Sequence, residues 1–219
     1  MSIKKKIITG TVLGLTIFNI GTAQAIVPNN MDFSLKPSLS FISNGGDFLN
    51  KKTKNSLGNN YNSFQNIFEK EETNSPLGFQ IFCLQNKMEC KVSSQSTTDY
   101  NFRFMKKLNK INKDVNLAIT PQNDIGLDKW SINVSVGDCE DYVLTKRSLL
   151  IKSGIAAGAL RIATATTKEG VGHAVLIVRT TKGDFVLDNL TNAILPWNRV
   201  EHSLLAISGS DPHNWSIIR

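Results

Sequence analysis

Apolar positions fall along this chain in three regimes, and each predicts different local structure. Ile7 to Ile20 is mostly apolar, broken by Gly10, Gly14, Thr16 and Asn19. Residues 26 to about 75 carry Asn, Ser, Gly and Lys without sustained periodicity. Asn44-Gly45-Gly46-Asp47 and Gly58-Asn59-Asn60 are turn signals there. That stretch predicts loops with one short helix near Ser63 to Lys70. Gly78 to Cys83 is a short apolar run. From Asn101 onward the spacing becomes regular: Met105, Leu108, Ile111 or Asn112, and Val115 recur every three or four residues with lysines between them. This predicts an amphipathic helix that stops before Pro121. Asp124 to Val136 then reads as a loop carrying Trp130.

Gly137 to Ser153 predicts a second helix. Asp138 suits the N-cap, Glu140 and Asp141 put negative charge in the first turn, and Val143, Leu144, Leu150 and Ile151 supply an apolar face. Lys146, Arg147 and Lys152 lie towards the C-terminal half, and Gly154 is the expected stop. Three apolar, β-branched segments follow, at Leu160 to Thr164, Gly172 to Arg179 and Phe185 to Asn189. The last two are joined by Thr180-Thr181-Lys182-Gly183-Asp184, a turn-forming stretch, and so predict a hairpin. A helix followed by antiparallel strands makes the expected fold class α+β rather than doubly wound.

The early apolar run changes how the rest is read. It follows Lys4, Lys5 and Lys6 and precedes Ala23-Gln24-Ala25, the small-x-small pattern that signal peptidase reads. It is too short and interrupted for a stable membrane span, and no later segment approaches the ~20 apolar residues that a span needs. The expectation is a signal peptide over 1–25, cleaved after Ala25, and a periplasmic or secreted chain without membrane insertion; an uncleaved anchor is the alternative. The remainder suits one domain, read as a loop-rich extension over 26–75 and a peptidase domain over 76–219. The formal charge is +7, and three leader lysines contribute to it. Lys51, Lys52 and Lys54 cluster, as do Lys106, Lys107, Lys110 and Lys113, but without aromatic partners at regular spacing. Nucleic acid is therefore not an expected partner. Cys83 and Cys90 bracket a polar loop and can close a disulfide in an oxidising compartment. Cys139 is then left as a free reactive thiol or an intermolecular bridge, with a buried inert cysteine as the bland alternative.

Thiol hydrolysis needs a nucleophile, a base that takes its proton and a group that orients the base. Cys139 sits at a predicted helix start, where unpaired backbone N–H groups lower a thiol's pKa. His173 begins the first hairpin strand and Asp188 lies near the end of the second, so the hairpin can bring imidazole and carboxylate together. His202 and His213 have no comparable carboxylate on a paired strand. Register constrains the pairing. Val178 facing Gly183 puts His173 opposite Asp188, whereas a tight Lys182-Gly183 turn puts Asp188 opposite Ile177, about 13 Å from His173 along the strand. The triad thus demands a wider loop or a bulge. No P-loop, Rossmann glycine pattern, His-Glu-x-x-His or paired Cys-x-x-Cys motif is present, so no organic cofactor or structural zinc is expected.

The strings Gly137-Asp138-Cys139-Glu140-Asp141-Tyr142, Gly172-His173-Ala174-Val175-Leu176 and Val186-Leu187-Asp188-Asn189-Leu190 resemble the bacterial transglutaminase-like cysteine proteinases. The resemblance runs from about Pro76 to Arg219 and includes Phe82-Cys83 with Glu89-Cys90, and Asp211-Pro212-His213-Asn214-Trp215. It implies a papain-like, transglutaminase-like fold and a catalytic triad of Cys139, His173 and Asp188. The best-known members, the LapG type, are calcium-dependent periplasmic proteases that cut large surface adhesins. The resemblance thus implies calcium as the cofactor, with Asp138 and Glu140 matching the calcium-binding acids, and a protein or peptide substrate such as a surface adhesin. Carboxylates are suitable hard ligands, although helix capping without metal explains the two acids as well. A transglutaminase-type acyl transferase shares the same triad chemistry, and a non-catalytic cell-envelope binding protein of this fold is the alternative from another class. Trp130 reads either as a wall of the substrate cleft or as a core anchor.

Overall fold

The computed structural model describes residues 65–218. The leader over 1–25 and the extension through residue 64 lie outside the described residues. The elements run β1 (Glu69–Thr73), α1 (Leu77–Gln85), α2 (Phe102–Ala118), β2 (Thr120–Pro121), β3 (Val136–Gly137), α3 (Cys139–Lys152), β4 (Leu160–Thr166), β5 (Gly172–Thr180), β6 (Gly183–Leu187), β7 (Leu195–Pro196), β8 (Ser203–Ser208) and β9 (Trp215–Ile218). Seven strands form one antiparallel sheet in the order β1-β9-β8-β4-β5-β6-β7, while β2 and β3 pair in parallel. Helices precede the strands that make up most of the sheet, which is an α+β arrangement. Among the described residues no helix is long and apolar enough to cross a membrane.

α2 forms where the periodicity predicts it. Its N-cap is Asn101, whose side chain accepts from the Phe104 N–H at 2.9 Å, and Phe104, Leu108, Asn112 and Val115 line its buried face. The short helix expected near Ser63 to Lys70 does not form in its described part. Residues 69–73 are instead edge strand β1, paired with β9. Charge pairing explains the difference: Glu69 accepts from Arg161 and Arg179, Asp184 pairs with Arg179, and Asp184 Oδ2 also takes the Ile67 N–H at 2.7 Å. These are long-range contacts that local propensity does not encode.

α3 has a one-sided apolar pattern yet is buried almost all round. Val143, Leu144 and Leu150 pack with Leu160, Ile162, Leu176 and Val178 of the sheet. Tyr142 packs with Val115 and Ile119 at the α2 end. Of the three basic residues near its C-terminal half, only Lys152 is exposed; Lys146 and Arg147 are buried. Arg147 is compensated by donating to the main-chain carbonyls of Leu160 and Glu89, and Ser148 Oγ donates to Glu89 Oε1 at 2.8 Å. Lys146 Nζ has no hydrogen-bond partner and lies 5.8 Å from the centroid of the Tyr142 ring. Burial pushes its pKa down to about 7 against the pull of the Asp188 charge. Gly154, at φ +91°, ends the helix as expected.

The apolar run from Gly78 becomes helix α1, whose Phe79 and Phe82 enter the main core. A Cβ on Gly78 would lie 2.4 Å from the Trp130 ring, so glycine is needed for this close approach. Cys83 and Cys90 form a disulfide that closes the loop after α1. That loop carries Glu89, the residue that satisfies Arg147 and Ser148.

The β5–β6 hairpin has a tighter turn than the wide loop expected above. Thr180 pairs with Gly183 across a two-residue turn, Thr181-Lys182, with Gly183 at φ +118°. The ladder runs back to Leu176 opposite Leu187 and stops there. The first residues of β5 therefore have β4, but not β6, beside them.

The disulfide fixes a short loop whose Glu89 braces α3. Replacing both cysteines by serine should cost about 2–3 kcal/mol, the chain-entropy expectation for a loop of this size. A Tm unchanged from the parent protein would show that Arg147 and Ser148 hold this loop unaided.

Candidate active site

The start of α3 is built by Asp141 folding back over Gly137. Asp138 occupies the N-cap position, but its side chain makes no capping bond. Asp141, at the third helical position, instead accepts from the main chain of Asp138 and from the Ser131 N–H at 2.8 Å. A Cβ on Gly137 would come within 2.1 Å of the Asp141 carboxylate, so this fold-back requires the glycine. The expected capping role of Asp138 thus belongs to Asp141. Asp138 Oδ2 accepts from the Asp124 N–H at 3.2 Å, and Asp138 Oδ1 is buried without a partner.

Cys139, the first residue of α3, is a free, half-buried cysteine. Its thiol donates to Glu140 Oε2 at 3.1 Å. Contrary to the expectation from its place at a helix N-terminus, its pKa is raised. Burial is the chief cause, followed by the charge and hydrogen bond of Glu140; the Ala174 main-chain N–H opposes them, and Asp138 adds to the rise. Four acids crowd this end of the helix. Asp124, Asp128 and Glu140 bring carboxylate oxygens within 4.8 Å of one another, with Asp138 alongside. Burial and a hydrogen bond to Asp128 hold Glu140 well above the usual carboxylate range, and burial lifts Asp141 to about 6. Asp124 and Asp128 are four apart in the loop before α3; that spacing was the available signal for them. Trp130 is a core anchor rather than a cleft wall. It packs on Phe79 at 5.5 Å, and its indole N–H donates to Asp128 Oδ2 at 2.9 Å, which fixes one member of the acidic group.

His173 and Asp188 are joined: His173 Nε2 lies 2.9 Å from Asp188 Oδ1, with both residues buried. The tight turn puts Asp188 in line with Val175, two residues from His173 and on the same side of the pleat. An offset of about 7 Å along the strand is spanned because Asp188 lies just beyond β6, where the chain is leaving the sheet. Neither the wide loop nor a bulge in this hairpin is needed. Asp188 Oδ1 also accepts from the Leu190 N–H at 3.1 Å, and its main-chain carbonyl accepts from Asn116 Nδ2 at 3.0 Å. Burial tends to raise the Asp188 pKa, but these hydrogen bonds and the two histidines outweigh it and hold the group at about 2.

The second histidine is His202, whose Nε2 lies 2.7 Å from Asp188 Oδ2. The expectation that it lacks a carboxylate partner is therefore corrected; the partner is Asp188 itself. His213 sits apart and pairs with Asp211.

By strand alternation His173 shares its face with Val175 and Ile177, whereas α3 packs against Ala174, Leu176 and Val178. The thiol meets the strand at the Ala174 N–H, beyond the end of β6 and not across the sheet face. Cys139 and His173 consequently line one cleft of about 510 Å³, with Gln122, Asp138, Glu169 and Leu190 among its other walls.

Residues 69–219 match the family model of bacterial transglutaminase-like cysteine proteinases, BTLCP. The chain belongs to this family of cysteine proteinases, and its helices and antiparallel sheet give it the α+β, transglutaminase-like fold. A search of curated proteins gave no match. Among solved structures the chain is similar to Legionella pneumophila LapG, at 25% identity and a TM-score of 0.44, over 49% of this chain and 64% of that one. It is also similar to the EGTA-treated form of LapG from that organism, at 24% and 0.42, over 48% and 62% of the two chains. The calcium-bound form matches at 21% and 0.44, over 61% and 76%. The first two matches span less than two thirds of the LapG chains.

Because Asp188 has a folded-state pKa below its ordinary 3.8, its contribution to stability is present above that value. It should be lost as pH falls from about 3.8 through about 2. Acid unfolding followed by circular dichroism should show this loss, and Asp188→Asn should flatten that part of the curve. An unchanged acid profile in the variant would mean that other carboxylates govern it.

Proposed function

We propose that this chain is an exported cysteine peptidase that cleaves a peptide bond with Cys139 as nucleophile, His173 as base and Asp188 as the orienting carboxylate. The observation that carries this reading is the buried His173–Asp188 pair beside the one cysteine of the three that is not in the disulfide. Asp188 engages Nε2, so Nδ1 is the nitrogen left for the thiol proton. His173 takes that proton, the sulfur attacks the scissile carbonyl carbon, and the imidazolium returns the proton to the leaving amine. The first-turn N–H groups of α3, which a helix leaves without intrahelical acceptors, lie at the same end as the sulfur as candidate donors to the developing oxyanion. Water activated by His173 then hydrolyses the thioester.

The acidic group fits a calcium ion. Three carboxylates converge, and Asp138 Oδ1 is a buried acceptor without a partner. Asp124, Asp128, Asp138 and Glu140 would hold it, and the ion would supply the positive charge that lets these carboxylates stay ionised together. Export is supported by Lys4 to Lys6, the apolar run and Ala23-Gln24-Ala25, and by the disulfide. A surface adhesin, the substrate class of the best-known family members, is the proposed target.

Two experiments test this reading. Cys139→Ala should abolish turnover of p-nitrophenyl acetate with little change in Tm, and iodoacetamide should label Cys139 in the parent protein. Asp188→Asn should lower kcat by roughly 10²–10⁴-fold. Full turnover in the Cys139 variant would eliminate the proposed nucleophile. For calcium, the Tm should rise on adding calcium and fall in chelator, and Glu140→Gln should blunt the response. A Tm indifferent to both additions would leave the four acids without a metal.

A further inference from the structure

His202 is held where it is by an irregularity in the sheet. β8 pairs with β4 as Thr164 with Ala206, but the next pair is Ala165 with Leu204, so Leu205 is an extra residue in β8. Without this bulge Ala165 would face Leu205, and His202 would point to the other side of the sheet. With it, Leu204 and His202 share the face of Ala165 and of His173, which pairs with Ala165 from β5. Bulges re-aim side chains in this way. Ala165, with its single methyl group, lets the two imidazoles approach over β4. The rings meet edge to face at 4.9 Å.

Asp188 is the reason such an aim matters. It lies beyond the last paired residue of β6, so the ladder does not hold its carboxylate. Oδ1 is fixed by His173 and the Leu190 N–H, while Asp188 and His202 also line a second cleft of about 400 Å³ that Cys139 does not line. A carboxylate anchored through one oxygen can rotate about its χ2 torsion, and rotation would break the bond to His173.

We propose that His202 is a positioning residue for the peptidase reaction: by donating from Nε2 to Asp188 Oδ2, it locks the carboxylate so that Oδ1 stays on His173. This rests on the reading of Cys139, His173 and Asp188 as the triad. His202 faces the second cleft, so it orients the base without touching a substrate bound at the thiol.

The test uses p-nitrophenyl acetate turnover and the Nε2-bound proton of His173 in ¹⁵N-histidine-labelled protein. His202→Phe keeps a ring against His173 but has no donor, and His202→Gln restores one. The phenylalanine variant should lose about 10- to 100-fold in kcat, the range expected for a hydrogen bond to a charged group. Its KM should be near that of the parent, and its His173 proton resonance should shift. The glutamine variant should recover most of both. Equal kcat losses in the two variants, with lowered Tm in both, would mark a structural role and overturn the proposal. Unchanged kcat in the phenylalanine variant would also overturn it. In that case a shifted resonance locates the failure in the triad reading, and an unshifted one locates it in the role of His202.

Discussion

The β5–β6 ladder ends at Leu176 and Leu187, and the architecture around the thiol depends on that early stop. Had β6 continued, its main chain would occupy the position from which Cys139 reaches the Ala174 N–H. Because it stops, the N-terminus of α3 reaches β5 from the side, and Asp188 turns out of the sheet toward His173. An imidazole on one face of a sheet and a thiol on a helix packed against the other can then share a cleft at the strand end. Asn116 on α2 donates to the Asp188 carbonyl, which ties the departing chain to that helix.

α3 pays for its central place with buried charge. Surrounded by the sheet and α2, it must bury Lys146 and Arg147, and an unpaired buried cation is strongly unfavourable. Arg147 is compensated by carbonyls at Glu89 and Leu160, which makes the disulfide loop part of the support of the helix. Lys146 is not compensated by a hydrogen bond; its proximity to Tyr142 and the Asp188 charge is what it has. The thiol at the far end is thus presented by a rigid element whose own polar groups anchor it to two neighbours.

Electrostatics at the thiol run against the usual benefit of a helix N-terminus. The positive end of the helix dipole favours a thiolate, but Glu140 accepts the thiol hydrogen, and Asp138 adds negative charge nearby. Burial is the larger reason that the thiol stays protonated, and these negative charges add to it. The acidic group of Asp124, Asp128 and Glu140 thus lies directly beside the thiol.

Much of the fold was legible along the chain because it rests on local signals. α2 follows from its three-to-four spacing, the limits of α3 from Gly137 and Gly154, the hairpin from its turn residues, and the α+β class from their order. Family membership was legible in three short strings around Cys139, His173 and Asp188, since residue type and spacing carry it. What depended on partners distant in sequence was not legible. β1 was mistaken for helix because its ion pairs lie about ninety residues or more away. The burial of Lys146 and Arg147 depends on α2 and the sheet closing over both sides of α3. The acidic group needs the Asp124–Asp128 loop folded back on the helix start. His202 is the clearest case: a single extra residue in β8 decides which face it takes, and no local pattern encodes that bulge. Sequence determined the elements and the reactive residue types, while tertiary packing decided which charges meet, because register and burial are properties of the assembled sheet.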